Sequence, residues 1–272
     1  MTLLTISALW GCGARKIAGQ VAQKLGLELF DDDRLQEEAL RMGVRSDELK
    51  ALEEKAPGLY DRLMGKNPEI YMDILQSVVY KVAREGEGVI VGHGSQLLLR
   101  DFGCALHIRI HASTDARIGN LMAAHDLSHE TAERLIRRKD NEIRDFFKFA
   151  FGLHFNDLGL YDLVLNTTKI STQTAVEHIL GLARSDDVKE CSLKALESME
   201  RLSLEKKVRA LLLEEKISLN QISVEIPDVG KVYLYGIASS DGMKTRAEEI
   251  VKGIPEVAQV ESDITVIKDW SY

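Results

Sequence analysis

Short apolar runs alternate with longer amphipathic stretches through the first two thirds of the chain. The runs predict five strands, at residues 3–7, 28–30, 88–92, 105–110 and 162–165. Apolar spacing of three and four residues predicts helices at 16–25, 33–42, 68–84, 114–124, 130–147 and 172–183. Ser113, Ser128 and Ser171 stand where helix N-caps belong. Strands that alternate with helices predict an α/β fold with a parallel sheet flanked by helices.

The pattern changes after residue 183. Residues 185–202 are polar and charged without a strand signal, which predicts a linker, in part helical. Beyond it the pattern predicts a helix at 204–214, strands near 222–225 and 231–237, a helix at 243–252 and a strand at 258–267. We therefore predict three segments: an α/β domain at 1–184, a linker at 185–202 and a small αββαβ domain at 203–272.

The first strand runs into a Gly-x-Gly turn, Gly11–Cys12–Gly13, and then directly into a helix. A glycine turn before a helix N-terminus directs unpaired backbone N–H groups and the positive end of the helix dipole at one point, which suits a phosphate. The usual phosphate loop adds a lysine and a hydroxyl. Here Ala14 and Arg15 take those places, so Arg15 or Lys16 is the candidate replacement cation. The alternative is that both are solvated helix residues.

Charge and cysteine content narrow the function classes. Acidic residues number 43 against 35 basic ones, a net charge of -8, which disfavours a nucleic-acid polymer as the main partner. The apolar run at the start is broken within about ten residues, too short for a membrane span. Three widely spaced cysteines suit neither a disulfide framework nor a zinc site, so we expect a reducing cytoplasm. For Cys12 a packing role is favoured over a reactive thiol, and we assign no metal ligands.

Four blocks in order make residues 3 to about 183 resemble the cytidylate-kinase-like family. They are the opening strand, loop and helix; the run 90–101, with His93 where an arginine is usual and with Arg100; the basic run 127–152; and YDLVLNTT, which contains Asn166 and Thr167. The resemblance implies a P-loop NTPase-like fold. It also implies ATP and Mg²⁺ as cofactors and a small nucleotide as partner.

The resemblance also implies roles for particular residues. Residues 11–16 would cradle the ATP phosphates, Arg138 and Arg144 in the lid would neutralise the transferring charge, and Asp31 would position metal or acceptor. His93, Arg100 and Asn166 would contact the acceptor. Two alternatives stay open: the basic residues of the lid form a solvated helix face, and Asp32 or, preferably, Asp33 merely caps the next helix. Because Ala14 and His93 replace expected groups, catalysis should weaken before the fold is lost.

The segment from about 203 to 267 resembles the BON domain, through the strand containing Gly236 and the later pattern I-P-x-V-x-x-V-x-x-x-I. This resemblance implies a phospholipid or protein partner, and the alternative is a module that forms a homo-oligomer. The function expected from both parts is phosphoryl transfer from ATP to a nucleoside monophosphate or related small acceptor. A catalytically inactive nucleotide sensor and a BON-mediated membrane or partner-binding scaffold are the other hypotheses.

Overall fold

The computed structural model describes residues 2–42 and 68–267. Two compact units make up the chain, and each combines two stretches of sequence. The N-terminal unit contains Met1–Gly65 and Glu85–Ser192, and the C-terminal unit contains Lys66–Arg84 and Leu193–Tyr272. This division differs from the predicted segments in two respects. Residues 66–84 belong to the C-terminal unit. The later boundary between the units, between Ser192 and Leu193, falls inside the stretch predicted as a linker.

The N-terminal unit is built on one parallel sheet of five strands. They are β1 (Leu3–Ala8), β2 (Leu29–Phe30), β3 (Gly88–Val91), β4 (Ala105–His111) and β5 (Leu163–Asn166). The strand order is β2-β3-β1-β4-β5, with every neighbouring pair parallel. The predicted parallel α/β sheet is therefore confirmed. Because β1 is central, the turn that follows it lies between the ends of β3 and β4.

The helices follow the predicted periodicity closely. In chain order over both units they are α1 (Ala14–Leu25), α2 (Asp32–Arg41), α3 (Pro68–Ala83), α4 (Ser95–Leu98), α5 (Thr114–His125), α6 (His129–Phe151), α7 (Thr172–Ala183), α8 (Leu193–Glu214) and α9 (Asp241–Lys252). Ser113, Ser128 and Ser171 cap α5, α6 and α7 as predicted, each accepting a bond from a backbone N–H three residues on. The four-residue α4 was not predicted because so short a helix carries no measurable periodicity.

The two faces of the sheet differ in chemistry. On one face aliphatic residues of β1 and β4 form a buried core with α1 and α7. Alternation along the strands places Thr5 and Ser7 of β1 on the opposite face, with His107 and Arg109 of β4. Thr5 Oγ1 lies 2.8 Å from His107 Nδ1, and all four of these polar side chains are buried. The sheet therefore carries an apolar core on one side and buried polar groups on the other.

A disulfide joins Cys104, in the turn before β4, to Cys191, just before α8. The two cysteines are 87 positions apart, and both belong to the N-terminal unit. The expectation of cysteines without a disulfide is therefore wrong for this pair. It failed because spacing along the sequence does not show that β4 and the segment after α7 meet. Cys12 is the free cysteine, and it is buried.

The C-terminal unit has the predicted αββαβ order, confirmed by α8, β6 (Ile222–Asp228), β7 (Lys231–Ala238), α9 and β8 (Gln259–Val266). β7 is central, antiparallel to β6 and parallel to β8. The first helix begins at Leu193 rather than at residue 204, so part of the predicted linker is helical. Aliphatic residues of the sheet and both helices form its core.

Helix α3 completes this unit by packing along α8. Ser77 Oγ donates to the Ser203 carbonyl at 2.8 Å, and Ser203 Oγ donates to the Ser77 carbonyl at 2.9 Å. Asp73 forms ion pairs with Lys206 at 3.4 Å and with Arg209 at 3.1 Å. A helix from the middle of the N-terminal sequence is thus tied to the C-terminal unit by buried polar contacts.

Candidate phosphate-binding site

The turn between β1 and α1, residues 9–13, has the conformation that its glycines allow. Gly11 and Gly13 have φ angles of 85° and 77°, in the region that glycine favours. A Cβ on Gly11 would lie 3.0 Å from the Arg117 carbonyl oxygen, whereas nothing lies within 4 Å of a Cβ on Gly13. No side chain caps the N-terminus of α1. The N–H groups of its first turn are therefore available to an anion.

Three consecutive carbonyl groups of this loop accept hydrogen bonds from side chains. The bonds run from Arg117 Nε to Trp10 at 2.7 Å, from Asn120 Nδ2 to Gly11 at 2.8 Å and from Thr167 Oγ1 to Cys12 at 3.3 Å. Thr167 Oγ1 also lies 3.1 Å from the His111 carbonyl. Arg117 and Asn120 were missed from the sequence, and Thr167 was noted only as a motif member. Side chains from outside the loop therefore hold it through its backbone carbonyl groups.

Arg117 connects the loop to the helical hairpin formed by α5 and α6. Its guanidinium is buried and forms two hydrogen bonds to Asp140 of α6, at 2.8 and 2.5 Å. A small apolar cluster of α5 and α6 packs with the Trp10 side chain. Such a bidentate pair has fixed geometry, so the loop and the hairpin are joined by polar and apolar contacts together.

The side chains of Cys12 and Ala14 pack against the sheet core. Cys12 lies in the sheet core, where burial raises the pKa of its thiol. Its interpretation as a packing residue is confirmed. Ala14 also packs against that core, so its methyl group is accommodated there. Both residues can meet a phosphate only through their backbone N–H groups.

Arg15 and Lys16 differ in their partners. Arg15 forms ion pairs with Asp31 at 2.6 Å and Asp33 at 2.7 Å. The hydrogen bond to Asp33 and the charges of both carboxylates raise the pKa of Arg15. Lys16 is exposed and forms no ion pair with any residue that the structure describes. Of the two candidate cations, Lys16 is the one whose charge is not matched by a carboxylate of the described residues.

The aspartates after β2 have separate roles. Asp31 is the N-cap of α2 and accepts a bond from the Arg34 N–H at 3.3 Å. The preference for Asp33 as the cap was wrong, because α2 begins at Asp32 and the extended residue before it is Asp31. Asp32 Oδ1 lies 2.9 Å from Nε2 of His93, and both side chains are buried.

His93 stands in the left-handed region, with a φ of 57°. A non-glycine residue rarely adopts this conformation. Because its ring is buried against Asp32, the residue at this position does not present an exposed cation to an acceptor.

The predicted lid residues lie on α6, on the exposed side of the helix. Arg138 lies 3.6 Å from Glu142. Arg144 donates to the Asp140 carbonyl at 3.2 Å and to the Asn141 side chain. Asp140 also binds Arg117, so Arg144 is two contacts away from the loop. Arg138 and Arg144 remain exposed, which leaves their guanidinium groups accessible to a phosphate.

Aromatic residues pack at the C-terminal end of α6. Their ring centroids lie 4.8 to 5.8 Å apart, in a cluster of Phe146, Phe147, Phe151 and Phe155. These four rings form a packed cluster, whereas Phe149 of the same helix is 42% exposed.

Two residues predicted to contact the acceptor, Arg100 and Asn166, form their polar contacts with neighbours in the sequence. Arg100 is exposed and lies 3.6 Å from Asp101. Asn166, at the end of β5, accepts a bond from the Thr168 N–H at 3.0 Å. In the part of the chain that the structure describes, neither forms a hydrogen bond or an ion pair with the loop, His93 or the lid arginines. Their assignment stays a prediction.

No group of three or more His, Cys, Asp or Glu side chains in residues 2–42 and 68–267 could hold a metal ion. Asp31, the residue expected near a metal, already caps α2 and pairs with Arg15. The described side chains therefore do not fit a protein-built Mg²⁺ site. In the same ranges no helix is both long and apolar enough to cross a membrane.

Comparison with known proteins gives two family matches. Residues 3–169 match the sequence model of the cytidylate kinase-like family, and residues 202–268 match that of the BON domain. A cytidylate kinase of Pyrobaculum islandicum is 28% identical over 177 residues, covering 65% of this chain and 89% of the relative. A cytidylate kinase of Pyrococcus horikoshii is 24% identical over 198 residues, covering 69% and 96%.

One solved structure, an uncharacterized protein from Eubacterium ventriosum, superposes with a TM-score of 0.54 at 21% identity. It covers 67% of this chain and 97% of that one. At this identity the likeness concerns the fold alone.

Proposed function

The chain belongs to the cytidylate kinase-like family, and from that premise we propose that it is a phosphotransferase. It transfers the γ-phosphoryl group of ATP to a nucleoside monophosphate or a related small acceptor. The observation that carries this proposal is the loop at residues 9–13. Its glycines have positive φ angles, the α1 N-terminus beside it has no side-chain cap, and the α5–α6 hairpin is hydrogen-bonded to it.

In this proposal the backbone performs most of the ATP binding. The N–H groups of residues 11–16 bind the phosphates, and Lys16 supplies the cation that Ala14 lacks. Arg138 and Arg144 approach from α6 and stabilise the charge of the transferring group. Mg²⁺, when bound with ATP, neutralises charge on the phosphates. Since the side chains of residues 2–42 and 68–267 offer no fitted metal site, Mg²⁺ would be held mainly by phosphate oxygens and water.

The second candidate is a nucleotide sensor without catalysis. It is favoured by the ion pairs of Arg15 with Asp31 and Asp33, which occupy one of the two cations next to the loop. A sensor needs only the backbone cradle, whereas a transferase also needs mobile positive charge at the transferring group. The two candidates therefore agree on ATP binding and differ on turnover.

The first test is calorimetric titration with ATP·Mg²⁺ and with CMP, followed by an ADP-release assay on the same samples. The phosphotransferase binds ATP and releases ADP faster when CMP is added. Lys16→Ala should reduce ADP release at least about tenfold, as expected for loss of one charged group at a transferring phosphate. Lys24→Ala, near the other end of α1, is the matched control. Binding without ADP release would instead support the sensor.

We propose in addition that the BON-matching unit binds a phospholipid or protein partner. A fragment containing residues 200–272 alone would lack α3 and its contacts with Ser203, Lys206 and Arg209. Vesicle sedimentation is therefore done with the full chain, with anionic and with neutral vesicles. If the chain binds neither ATP nor CMP but does sediment with vesicles, the scaffold hypothesis replaces the phosphotransferase.

A further inference from the structure

We infer that Arg117, Asn120 and Thr167 are positioning residues, which set the direction of the loop N–H groups by binding the loop carbonyls. This inference rests on the proposed phosphate-binding function of the loop and names the residues that assemble it. Arg117 binds the Trp10 carbonyl and Asn120 binds the Gly11 carbonyl, and the Thr167 hydroxyl shares its one proton between the Cys12 carbonyl at 3.3 Å and the His111 carbonyl at 3.1 Å. None of the three side chains is required to touch the ligand.

The reasoning follows from the planar peptide group. The described residues contain no cis peptide bond. In a trans peptide the carbonyl of one residue points opposite to the N–H of the next. Fixing the carbonyls of residues 10, 11 and 12 therefore fixes the N–H groups of residues 11, 12 and 13. These N–H groups point away from the three side-chain donors.

The N–H groups at the two glycines remain available. Cys12 N–H makes a long bond of 3.4 Å to the Leu9 carbonyl. Gly11 and Gly13 N–H donate to no other described residue. Two unpaired donors thus each point away from the side chain that holds the adjoining carbonyl, which leaves them open to an anionic ligand.

The donors themselves lie on α5 or directly after β5. Arg117 is fixed by its two bonds to Asp140, and Asn120 follows it by three residues on α5, so the two share a helix face. Thr167 directly follows β5, whose last residue pairs with His111 of β4. A loop without its lysine can therefore be preorganised by neutral and charged donors on its opposite side.

The test is a nitrogen-15 NMR titration of the full chain with inorganic pyrophosphate and with ATP·Mg²⁺. We expect the Gly11 and Gly13 amide signals to shift on binding. Asn120→Ala and Thr167→Val should each raise the dissociation constant about three- to tenfold, the effect of one hydrogen bond. Thr167→Ser keeps the hydroxyl and should restore the wild-type value. Asn220→Ala, the same chemical change in the C-terminal unit, should leave it unchanged.

The urea midpoint of each variant shows whether weaker binding comes from lost positioning or from lost folding. Asn120 is exposed, so Asn120→Ala tests the inference even if Thr167→Val unfolds. ATP binding without shifts at Gly11 and Gly13 overturns the inference, as do unchanged dissociation constants in Asn120→Ala. Glycine shifts without ADP release overturn only the transferase. ADP release without those shifts overturns only the inference, and no binding at all overturns both.

Discussion

The two units bury polar groups in different places. In the N-terminal unit the buried charged or ionisable side chains include His93, His107, Arg109 and Arg117, on the polar face of the sheet and around its loops. In the C-terminal unit the sheet core is aliphatic, and Asp73, Ser77 and Ser203 lie where α3 meets α8. Buried polar groups cost free energy unless they are hydrogen-bonded. A buried polar group therefore fixes the position of the residues that bind it.

Arg109 shows what this burial achieves in the N-terminal unit. Its guanidinium donates to the Phe155 carbonyl at 2.6 Å and to Asn156 at 2.8 Å, and it lies 4.1 Å from the Phe155 ring centroid. It forms no ion pair with the residues that the structure describes. The segment after α6 is thereby attached to the sheet. The N-terminal unit uses buried polar groups to position loops, and the C-terminal unit uses them to join distant stretches of chain.

The largest effect is expected at Gly236 of the C-terminal unit. Its φ is 126°, and a Cβ there would lie 2.1 Å from the Gln221 carbonyl oxygen. Gly236→Ala should therefore lower the free energy of unfolding of this unit by about 3 kcal/mol or more. Hydrogen exchange in β6, β7 and β8 measures the loss. Gly242→Ala in α9, where nothing lies closer than 3.9 Å, is the matched control; equal exchange in both variants would contradict the prediction.

The disulfide should have the next largest effect, confined to the N-terminal unit. Closing so long a loop restricts the unfolded chain, so Cys104→Ser with Cys191→Ser should cost about 2–4 kcal/mol of unfolding free energy. Urea unfolding with and without reductant measures it. Alkylation of the unfolded, unreduced protein checks the premise, since only Cys12 should react. If all three thiols react, the disulfide is not formed and cannot contribute to the stability of the N-terminal unit.

The contact between α3 and α8 should contribute a smaller amount. Ser77→Ala removes the hydroxyl that donates to the Ser203 carbonyl, so unfolding of the C-terminal unit should become easier by about 1 kcal/mol. Hydrogen exchange along α8 reports it. Ser198→Ala is the control, because that exposed serine bonds only to its own helix, through the Lys194 carbonyl. If both variants exchange alike, α3 does not stabilise α8 through these serines.

The smallest effect concerns pH. All seven histidines lie in the sequence of the N-terminal unit. Burial lowers the pKa of His107 below its ordinary 6.5, so the unfolded chain binds a proton before the folded one. Stability is therefore full above about pH 6.5 and falls as pH decreases from 6.5 towards the lowered pKa, by less than about 1.4 kcal/mol per pH unit.

Urea unfolding between pH 7.5 and 5.5 measures this slope, followed by Trp10 fluorescence in a Trp270→Phe background. His107→Gln should flatten it, although it also lowers stability at every pH by removing the contact with Thr5. An unchanged slope would assign the acid sensitivity to another histidine. His111, whose pKa is also lowered, first by burial, is the next to substitute.

Much of the fold follows from local pattern. The strands of the parallel sheet, the serine caps of α5, α6 and α7, and the αββαβ order of the C-terminal unit were all predictable. Periodicity and capping depend on residues within one or two helical turns, and those are adjacent in the sequence. The glycine loop was also identifiable, since a strand, two glycines and a helix occur within one short run.

The candidate site was only partly predictable. The sequence indicated Arg15 or Lys16 as the replacement cation but could not choose between them, because the choice depends on Asp31 and Asp33 at the start of another helix. It also could not show that Arg117 and Asn120 face the loop carbonyls, since they lie more than a hundred residues from it.

The sequence by itself determined which segments become helices and strands, where the glycine loop lies and which families the two parts resemble. Only the tertiary structure decided that α3 packs with α8, that Cys104 meets Cys191, and that Asp31 rather than Asp33 caps α2. It also decided that three distant side chains hold the loop. The physical reason is that local preferences act between neighbours in the chain, whereas these contacts arise only once the sheet and the helices have brought remote residues together.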